Sequence, residues 1–321
     1  MGMIGSNLHR AKSIIEAGGL VAVPTETVYG LAADALNIEA VTSVFSAKNR
    51  PTFDPLIVHV DTLEAAEKYI EKWPPKALAL AEKFWPGPLT LLLPKKEVIS
   101  DLVTSGMEKV AIRVPDSELT LKLLGLLKRP LVAPSANPFG YVSPTCPQHV
   151  DDQLGDKISY ILDGGPCEIG LESTIVGFDA SDNAVIYRLG GLNIESIQAE
   201  IGAVKTKSHS SSNPQAPGML TSHYSPHVAV KLGNIRKSLD TLHGIKRVGV
   251  ISFTEPIREL PTDQQVVLAP DGSLKTAAKN LFSALRYMDT ININTLLIEE
   301  VPDHGLGKAI NDRLRRAAAK H

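Results

Sequence analysis

Short apolar runs, each broken by a cluster of polar residues, set the rhythm of the amino-terminal two thirds of the chain. Residues 8–17 carry a helical pattern that stops at Gly18-Gly19, and Leu20-Val21-Ala22-Val23 then reads as a buried strand running into P-T-E-T-V-Y-G, Pro24 to Gly30. Thr25, Glu26, Thr27 and Tyr29 thus fall just past a strand end. Asn37 is the expected N-cap of a helix with Val41, Val44 and Phe45 on one face, and that helix delivers Lys48 and Arg50 at its far end. A strand over 56–60 follows, then a helix to Ile70 opened by an Asp61/Glu64 capping box. Pro74-Pro75 open another helix, closed by Pro86-Gly87-Pro88 before a strand over 89–93. Further strands are expected over 110–114, 130–133, 158–163 and 185–189, with a β-rich run starting at Glu172-Ser173-Thr174. Many short strands with few helices between them predict an α+β domain on a twisted, mixed sheet.

The pattern breaks at 205–217, where Ser, Asn, Gln and Pro dominate, which marks a linker. Beyond it, strands over 228–232, 248–253, 266–269 and 296–300 alternate with helices over 235–242, 274–288 and 306–319. That alternation predicts a small parallel α/β domain of Rossmann-like type. The division is therefore 1–207, a linker over 208–227, and 228–321. In the last helix Leu306, Ile310, Leu314 and Ala317 share a face, and Arg313, Arg315 and Arg316 are expected on a solvated one.

Composition narrows the function by exclusion. With 33 basic and 35 acidic residues and a formal charge of -2, the chain has no general pull towards nucleic acid or membrane, so strong autonomous nucleic-acid binding is not expected. The first residues lack the continuous apolar core of a signal peptide, no apolar run is long enough to cross a bilayer, and two cysteines make neither a zinc site nor a disulfide framework. Cytoplasm is the default location. No Ser-His-Asp order, H-E-x-x-H or G-x-G-x-x-G occurs, and a faint phosphate loop at Gly307-Lys308 fails because Pro302 and Ala309 stand where Gly and Ser or Thr belong.

What is left is a set of cations and small polar side chains at strand ends. The loop P-S-A-N-P-F-G-Y-V-S-P-T, Pro134 to Thr145, offers Ser135, Asn137, Ser143 and Thr145; by itself it reads first as a turn, with Thr145 the N-cap of the next helix. Lys48 and Arg50 suit a helix dipole as well as phosphate oxygens, and His59 suits a satisfied core position. Arg113, inside an apolar strand, either meets an internal carboxylate or points into a site. Together with Arg188, the inventory fits binding of a nucleotide phosphate chain and a small carboxylate with little acid-base equipment, as in phosphoryl or nucleotidyl transfer.

Six motifs in order carry a resemblance: P-T-E-T-V-Y-G at Pro24, Lys48 to Arg50 with the following P-L-I-V-H, F-W-P-G-P-L-T at Phe84, A-I-R-V-P at Ala111, P-S-A-N at Pro134, and P-G-M-x-x-x-H-Y at Pro217 ahead of a carboxy-terminal N-D-R-L-R-R-A. The chain resembles the Sua5/YciO/YrdC family, in its two-domain Sua5 branch. The resemblance implies a YrdC-like catalytic domain followed by a Rossmann-like one. It further implies a nucleotidyltransferase that makes threonylcarbamoyl-AMP and pyrophosphate from L-threonine, bicarbonate and ATP, with Mg²⁺ held on the ATP phosphates and not by protein ligands. The product would pass to a threonylcarbamoyl-transferase complex acting on tRNA, for t6A37. By resemblance Lys48, Thr52, Ser135, Asn137, Ser143 and Arg188 belong to the ATP side, with Lys48 and Arg50 catalytic, and Thr25, His59, Arg113 and Ser173 to the threonine side. Tyr224 would lie over the nucleotide as part of a lid. Leu189 departs from the family pattern, which has Pro after the arginine. An RNA-binding translation factor of the same fold is the alternative.

Overall fold

The computed structural model describes residues 2–179, 181–207, 216–219, 223–241 and 247–319. Most of the expected linker, 208–215 and 220–222, lies outside the described residues, as does Leu242, the expected end of the helix from Ile235. The chain forms two compact units, the first made of Met1–Phe139, Ser143–Glu168 and Glu172–Leu220, the second of Gly140–Val142, Ile169–Leu171 and Thr221–His321.

The first unit begins β1 (Met3–Gly5), α1 (Leu8–Glu16), β2 (Val21–Val23), β3 (Gly30–Asp34), α2 (Ile38–Lys48), β4 (Ile57–His59) and α3 (Leu63–Ala66). It continues α4 (Pro75–Phe84), β5 (Leu89–Pro94), α5 (Asp101–Thr104), β6 (Lys109–Arg113), α6 (Glu118–Leu127), β7 (Leu131–Val132) and α7 (Pro147–Leu154). It ends with β8 (Tyr160–Leu162), β9 (Thr174–Phe178), β10 (Ala184–Arg188), α8 (Ile194–Ile201) and β11 (Lys205–Thr206). The strands form one mixed sheet in the order β1-β8-β2-β3-β7-β4-β6-β5-β9-β10-β11.

Alternation along these strands divides the apolar side chains between two faces. Val58, Leu91, Ile112, Val176 and Ile186 join the large core with Val41, Val44 and Phe45 of α2, Leu80 of α4 and Ile197 of α8. On the opposite face, Val21, Val23, Ala32 and Leu131 pack with Ala11 and Ile15 of α1 and Leu123 and Leu124 of α6. The remaining part of that face, Ile57, Leu92, Ala111, Ile175, Val185 and Tyr187, has no helix in its cluster and is covered by Ala216 and Met219. The P-G-M stretch is therefore part of the first unit's core, not a tether.

The sequence reading needs four local corrections. Thr62 caps α3, accepting from Ala65 N at 3.1 Å, and α3 makes a single turn because Ile70 is drawn into a bridge with Lys95. Cys146, not Thr145, stands at the N-cap of α7; the Thr145 amide instead donates to His149 Nδ1 at 3.2 Å. Lys205–Thr206 extends the sheet alongside β10, pairing through its backbone with both side chains exposed, so no apolar pattern announces it. The fourth correction concerns the last helix and belongs to the second unit.

That unit contains β12 (Ala229–Leu232), α9 (Ile235–Thr241), β13 (Val248–Ser252), β14 (Gln265–Val267), α10 (Leu274–Thr290), β15 (Thr295–Ile298) and α11 (Gly307–Ala318). Its sheet is wholly parallel, ordered β12-β15-β13-β14, which is the Rossmann-like arrangement expected. On α11, Arg315 is exposed and meets Glu300, but Arg313 and Arg316 are buried. Helical spacing explains this: Ile310, Arg313, Leu314 and Ala317 lie on one face. Asp312 accepts from Arg313 at 2.6 Å, and the two guanidinium carbons lie 4.9 and 4.8 Å from the ring of Tyr224, which stacks on Phe282.

Met219 is fully buried against the first sheet. Met219→Ala is expected to lower stability by about 2–5 kcal/mol, measured by urea unfolding of the full chain.

Candidate active site

The apolar cluster under Met219 ends abruptly in polar side chains, and the sheet register explains why. His59 pairs with Arg113 at the carboxyl ends of the parallel neighbours β4 and β6, two residues beyond Ile57 and Ala111 and hence on the same face. β5 runs antiparallel to β6, so its first residues return to the same edge, where Thr90 Oγ1 and Ser173 Oγ lie 2.7 Å apart. β10 brings in Arg188 through a bulge: the pairing shifts between Ile186 and Arg188, so that Arg188 faces Ile175 and not the helix-covered core. Its Nε donates to Ser173 O and its Nη2 to Ser173 Oγ, both at 3.0 Å.

Of the two alternatives the sequence left open for Arg113, the structure shows the internal carboxylate. It forms a buried ion pair with Glu26, while Glu26 Oε2 accepts from Asp116 N at 3.1 Å. Arg113 Nη1 also donates to Thr27 Oγ1 at 3.2 Å, but Nε finds no partner among the described residues. Burial pushes Glu26 up and Arg113 down, each opposed by the other's charge. Burial, reinforced by Arg113, also pushes His59 down to about 3. Its Nδ1 lies 3.1 Å from Ile57 O, an acceptor only, so the neutral ring carries its proton there and presents a lone pair at Nε2. Thr25 Oγ1 closes the turn after β2 by donating to Val28 O at 2.6 Å.

Lys48, the last residue of α2, is 1 % exposed and reaches the 134–145 loop, donating to Ser135 O and Asn137 O. Burial and then Arg50 hold its pKa well below the ordinary value, with Asp54 opposing. Ser143 Oγ donates to Glu172 Oε1 at 2.6 Å. Arg50 is engaged by its own turn, with Asp54 Oδ2 at 2.9 Å and Pro55 O at 2.8 Å. Thr52 is exposed in that turn. Tyr224 belongs to the second unit, packed as described above.

The structure thus links Arg113 with the turn carrying Thr25, Ser173 with Arg188, and Lys48 with Ser135 and Asn137. Glu26, Thr90 and Glu172 complete these groups although the sequence reading assigned them no role. Thr90 carried a signal, a lone hydroxyl in an otherwise apolar strand, and Glu26 was the one carboxylate in its turn.

Comparison with known proteins finds relatives over nearly the whole chain. The Sua5, YciO and YrdC family model, described as telomere recombination, matches residues 13–190, and a second, described as threonylcarbamoyl-AMP synthase, C-terminal domain, matches 192–319. The chain belongs to the Sua5/YciO/YrdC family. Within that family it is 40% identical to the threonylcarbamoyl-AMP synthase of Pyrococcus abyssi, over 96% of this chain and 93% of the relative. It is also 40% identical to that of Bacillus subtilis, over 96% and 92%. The crystal structure of P. abyssi Sua5 complexed with L-threonine superposes with a TM-score of 0.91 at 38% identity, covering 99% of this chain and 97% of that one. Its likeness spans both units of the family's two-domain branch.

The histidine gives a pH prediction. An unfolded His59 takes up a proton as pH falls through about 6.5, whereas the folded ring resists until about 3, so its contribution to stability is full above that window and is lost on acidification through it. His59→Gln should flatten the fall in unfolding free energy between those two values, read from urea titrations and relative to wild type, by up to roughly 1.4 kcal/mol per pH unit.

Proposed function

We propose that this chain is an L-threonylcarbamoyladenylate synthase, which converts L-threonine, bicarbonate and ATP into threonylcarbamoyl-AMP and pyrophosphate. The observation that carries the reading is Arg113: a buried guanidinium whose Nε finds no partner among the described residues, beside a neutral His59 whose Nε2 accepts, with Ser173 on the same polar edge and the turn that carries Thr25 tied to Arg113 through Glu26 and Thr27. An orphaned buried donor costs about 1–3 kcal/mol, and a carboxylate arriving at Nε would recover it. His59 Nε2 offers an acceptor to an amine or hydroxyl. These are the groups of a small hydroxy amino acid, and the likeness to the threonine-bound structure supports the assignment.

In the reaction the threonine nitrogen attacks the bicarbonate carbon, water leaves, and the resulting carbamate oxygen attacks the α-phosphorus with departure of pyrophosphate. The protein's part is positioning and charge, with no covalent intermediate. Two of the three N–H groups of a charged Lys48 are used on Ser135 O and Asn137 O, which leaves one for a phosphate oxygen. A polyanion would also restore the charge that burial depresses. Ser135, Asn137, Ser143 and Arg188 would order the nucleotide, with Thr52 at the rim and Arg50 acting beside the bonds it already makes. Mg²⁺ would come with the triphosphate and offset charge on the leaving pyrophosphate; the donor set suits this, because Glu26 and Glu172 are engaged by Arg113 and Ser143. The stretch carrying Ala216 and Met219, which covers that face of the first unit, would shield the adenylate from water, whereas Tyr224 is enclosed by Arg313, Arg316 and Phe282 within the second unit. The product would supply a transferase complex acting on tRNA, in the cytoplasm; no described helix is long and apolar enough to cross a membrane.

Lys48→Ala, and Lys48→Met as the bulk-preserving variant, should abolish pyrophosphate release that depends on both threonine and bicarbonate. Wild-type turnover in either would remove Lys48 from the chemistry. Deleting 208–321 should remove most activity; a fully active 1–207 fragment would exclude the shielding role.

A further inference from the structure

Cys146 and Cys167 are the chain's two cysteines; both carry free thiols, and both lie in the Ser143–Glu168 part of the first unit. Cys167 N donates to Thr145 O at 2.8 Å, so the segment entering Cys167 runs beside the one entering Cys146. Backbones joined in this way hold facing Cα atoms roughly 5.5 Å apart, and a disulfide spans about 5–6 Å between Cα atoms. Tyr29, also of the first unit, braces both segments. Its N donates to Pro144 O at 2.9 Å, while its Oη donates to Gly165 O at 2.8 Å and accepts from Gly164 N at 3.1 Å. Burial first, with smaller contributions from both thiols, pushes that hydroxyl up, so the two sulfurs act on one buried ring.

The two thiols differ in exposure and in employment. Cys146, half-buried, holds the N-cap position of α7 yet makes no side-chain cap bond, where Ser, Thr, Asn or Asp would accept from the first turn. Cys167 is 4% exposed, and the Thr25 backbone amide donates to its sulfur. Burial, and then the Glu26 carboxylate, push the Cys167 thiol up against that donor. An accessible, uncommitted thiol beside a buried one is the arrangement of a reacting cysteine and its resolving partner. We propose that Cys146 and Cys167 form a site of oxidation by peroxide to a disulfide, and that closing the bridge loosens the turn carrying Thr25. The Cys146 sulfur attacks hydrogen peroxide, giving a sulfenic acid and one water. The Cys167 sulfur then displaces the sulfenic hydroxyl as a second water and forms the S–S bond, so two thiols lose two hydrogens and two electrons and the peroxide takes both. The bridge draws the Cys167 sulfur towards Cys146, and the Thr25 amide loses its acceptor. The effect on threonine, unlike the disulfide itself, rests on the reading of that turn as the threonine side.

The test treats the reduced full-length chain with hydrogen peroxide and reads it by mass spectrometry of a non-reducing digest. The wild type should yield one peptide pair joined through Cys146 and Cys167, lighter by two hydrogens and separated again by dithiothreitol. Cys167→Ala should stop at a Cys146 sulfenic acid that dimedone traps, and Cys146→Ser should leave Cys167 reduced. In the oxidised wild type the KM for threonine should rise about threefold to tenfold and return on reduction. Cys146→Ser should keep one KM with and without peroxide. Two thiols still free after peroxide, a sulfinic acid on Cys146 beside a free Cys167, or a bridge between two chains overturns the proposal. A disulfide that leaves the threonine KM unaltered upholds the site and overturns its link to the turn. A disulfide in a chain whose reduced form makes no adenylate upholds the pairing and removes the threonine reading; adenylate synthesis without a disulfide does the reverse. Should Cys167→Ala not fold, the wild type and Cys146→Ser carry the same outcomes.

Discussion

A single buried ion pair, Arg113 with Glu26, organises the first unit's polar edge. It joins the end of β6 to the turn after β2, and through Glu26 Oε2 it also holds the backbone at Asp116. Neither charge could stay in an apolar sheet alone, and removing one partner of such a pair costs roughly 3–5 kcal/mol. The pair does not use all of Arg113, however. With Glu26 compensating the charge, the guanidinium keeps its unpartnered Nε, and its field helps to keep His59 neutral. Charge compensation inside the fold and an open donor at its edge are thus the same arrangement.

The rest of the edge follows from how the sheet is covered. Helices occupy one face and part of the other, and the uncovered remainder is closed over its apolar half by Ala216 and Met219. Polar groups collect where that cover stops. This is why residues far apart in sequence, such as Thr90, Ser173 and Arg188, form one hydrogen-bonded group without a shared motif.

Much of this was legible from the sequence because it is written in periodicity. Asn37 caps α2 as expected, with its side chain accepting from Glu39 N and Ala40 N, and Lys48 emerges at the far end. The second unit's parallel sheet followed from alternation of strand and helix patterns alone. What stayed hidden depends on partners, not patterns. β11 contributes only backbone, and Glu26 pairs with Arg113 from a strand that is not its neighbour in the sheet. Arg313 was assigned to water because it is charged, although its spacing from Ile310 and Leu314 placed it on the buried face; the flat ring of Tyr224 supplies the partner that spacing could not name.

The bulge in β10 makes the site depend on counting as well as on chemistry. In regular alternation Arg188 would share the face of Ile186 and drive a guanidinium into the large apolar core; one extra residue turns it to the other side. The constraint thus belongs to chain length, and no single side chain carries it. A lineage could exchange nearly every residue of this hairpin and keep the arginine in place, yet lose it through the deletion of one codon that alters no functional residue. Scans that replace residues one at a time are blind to a requirement of this kind.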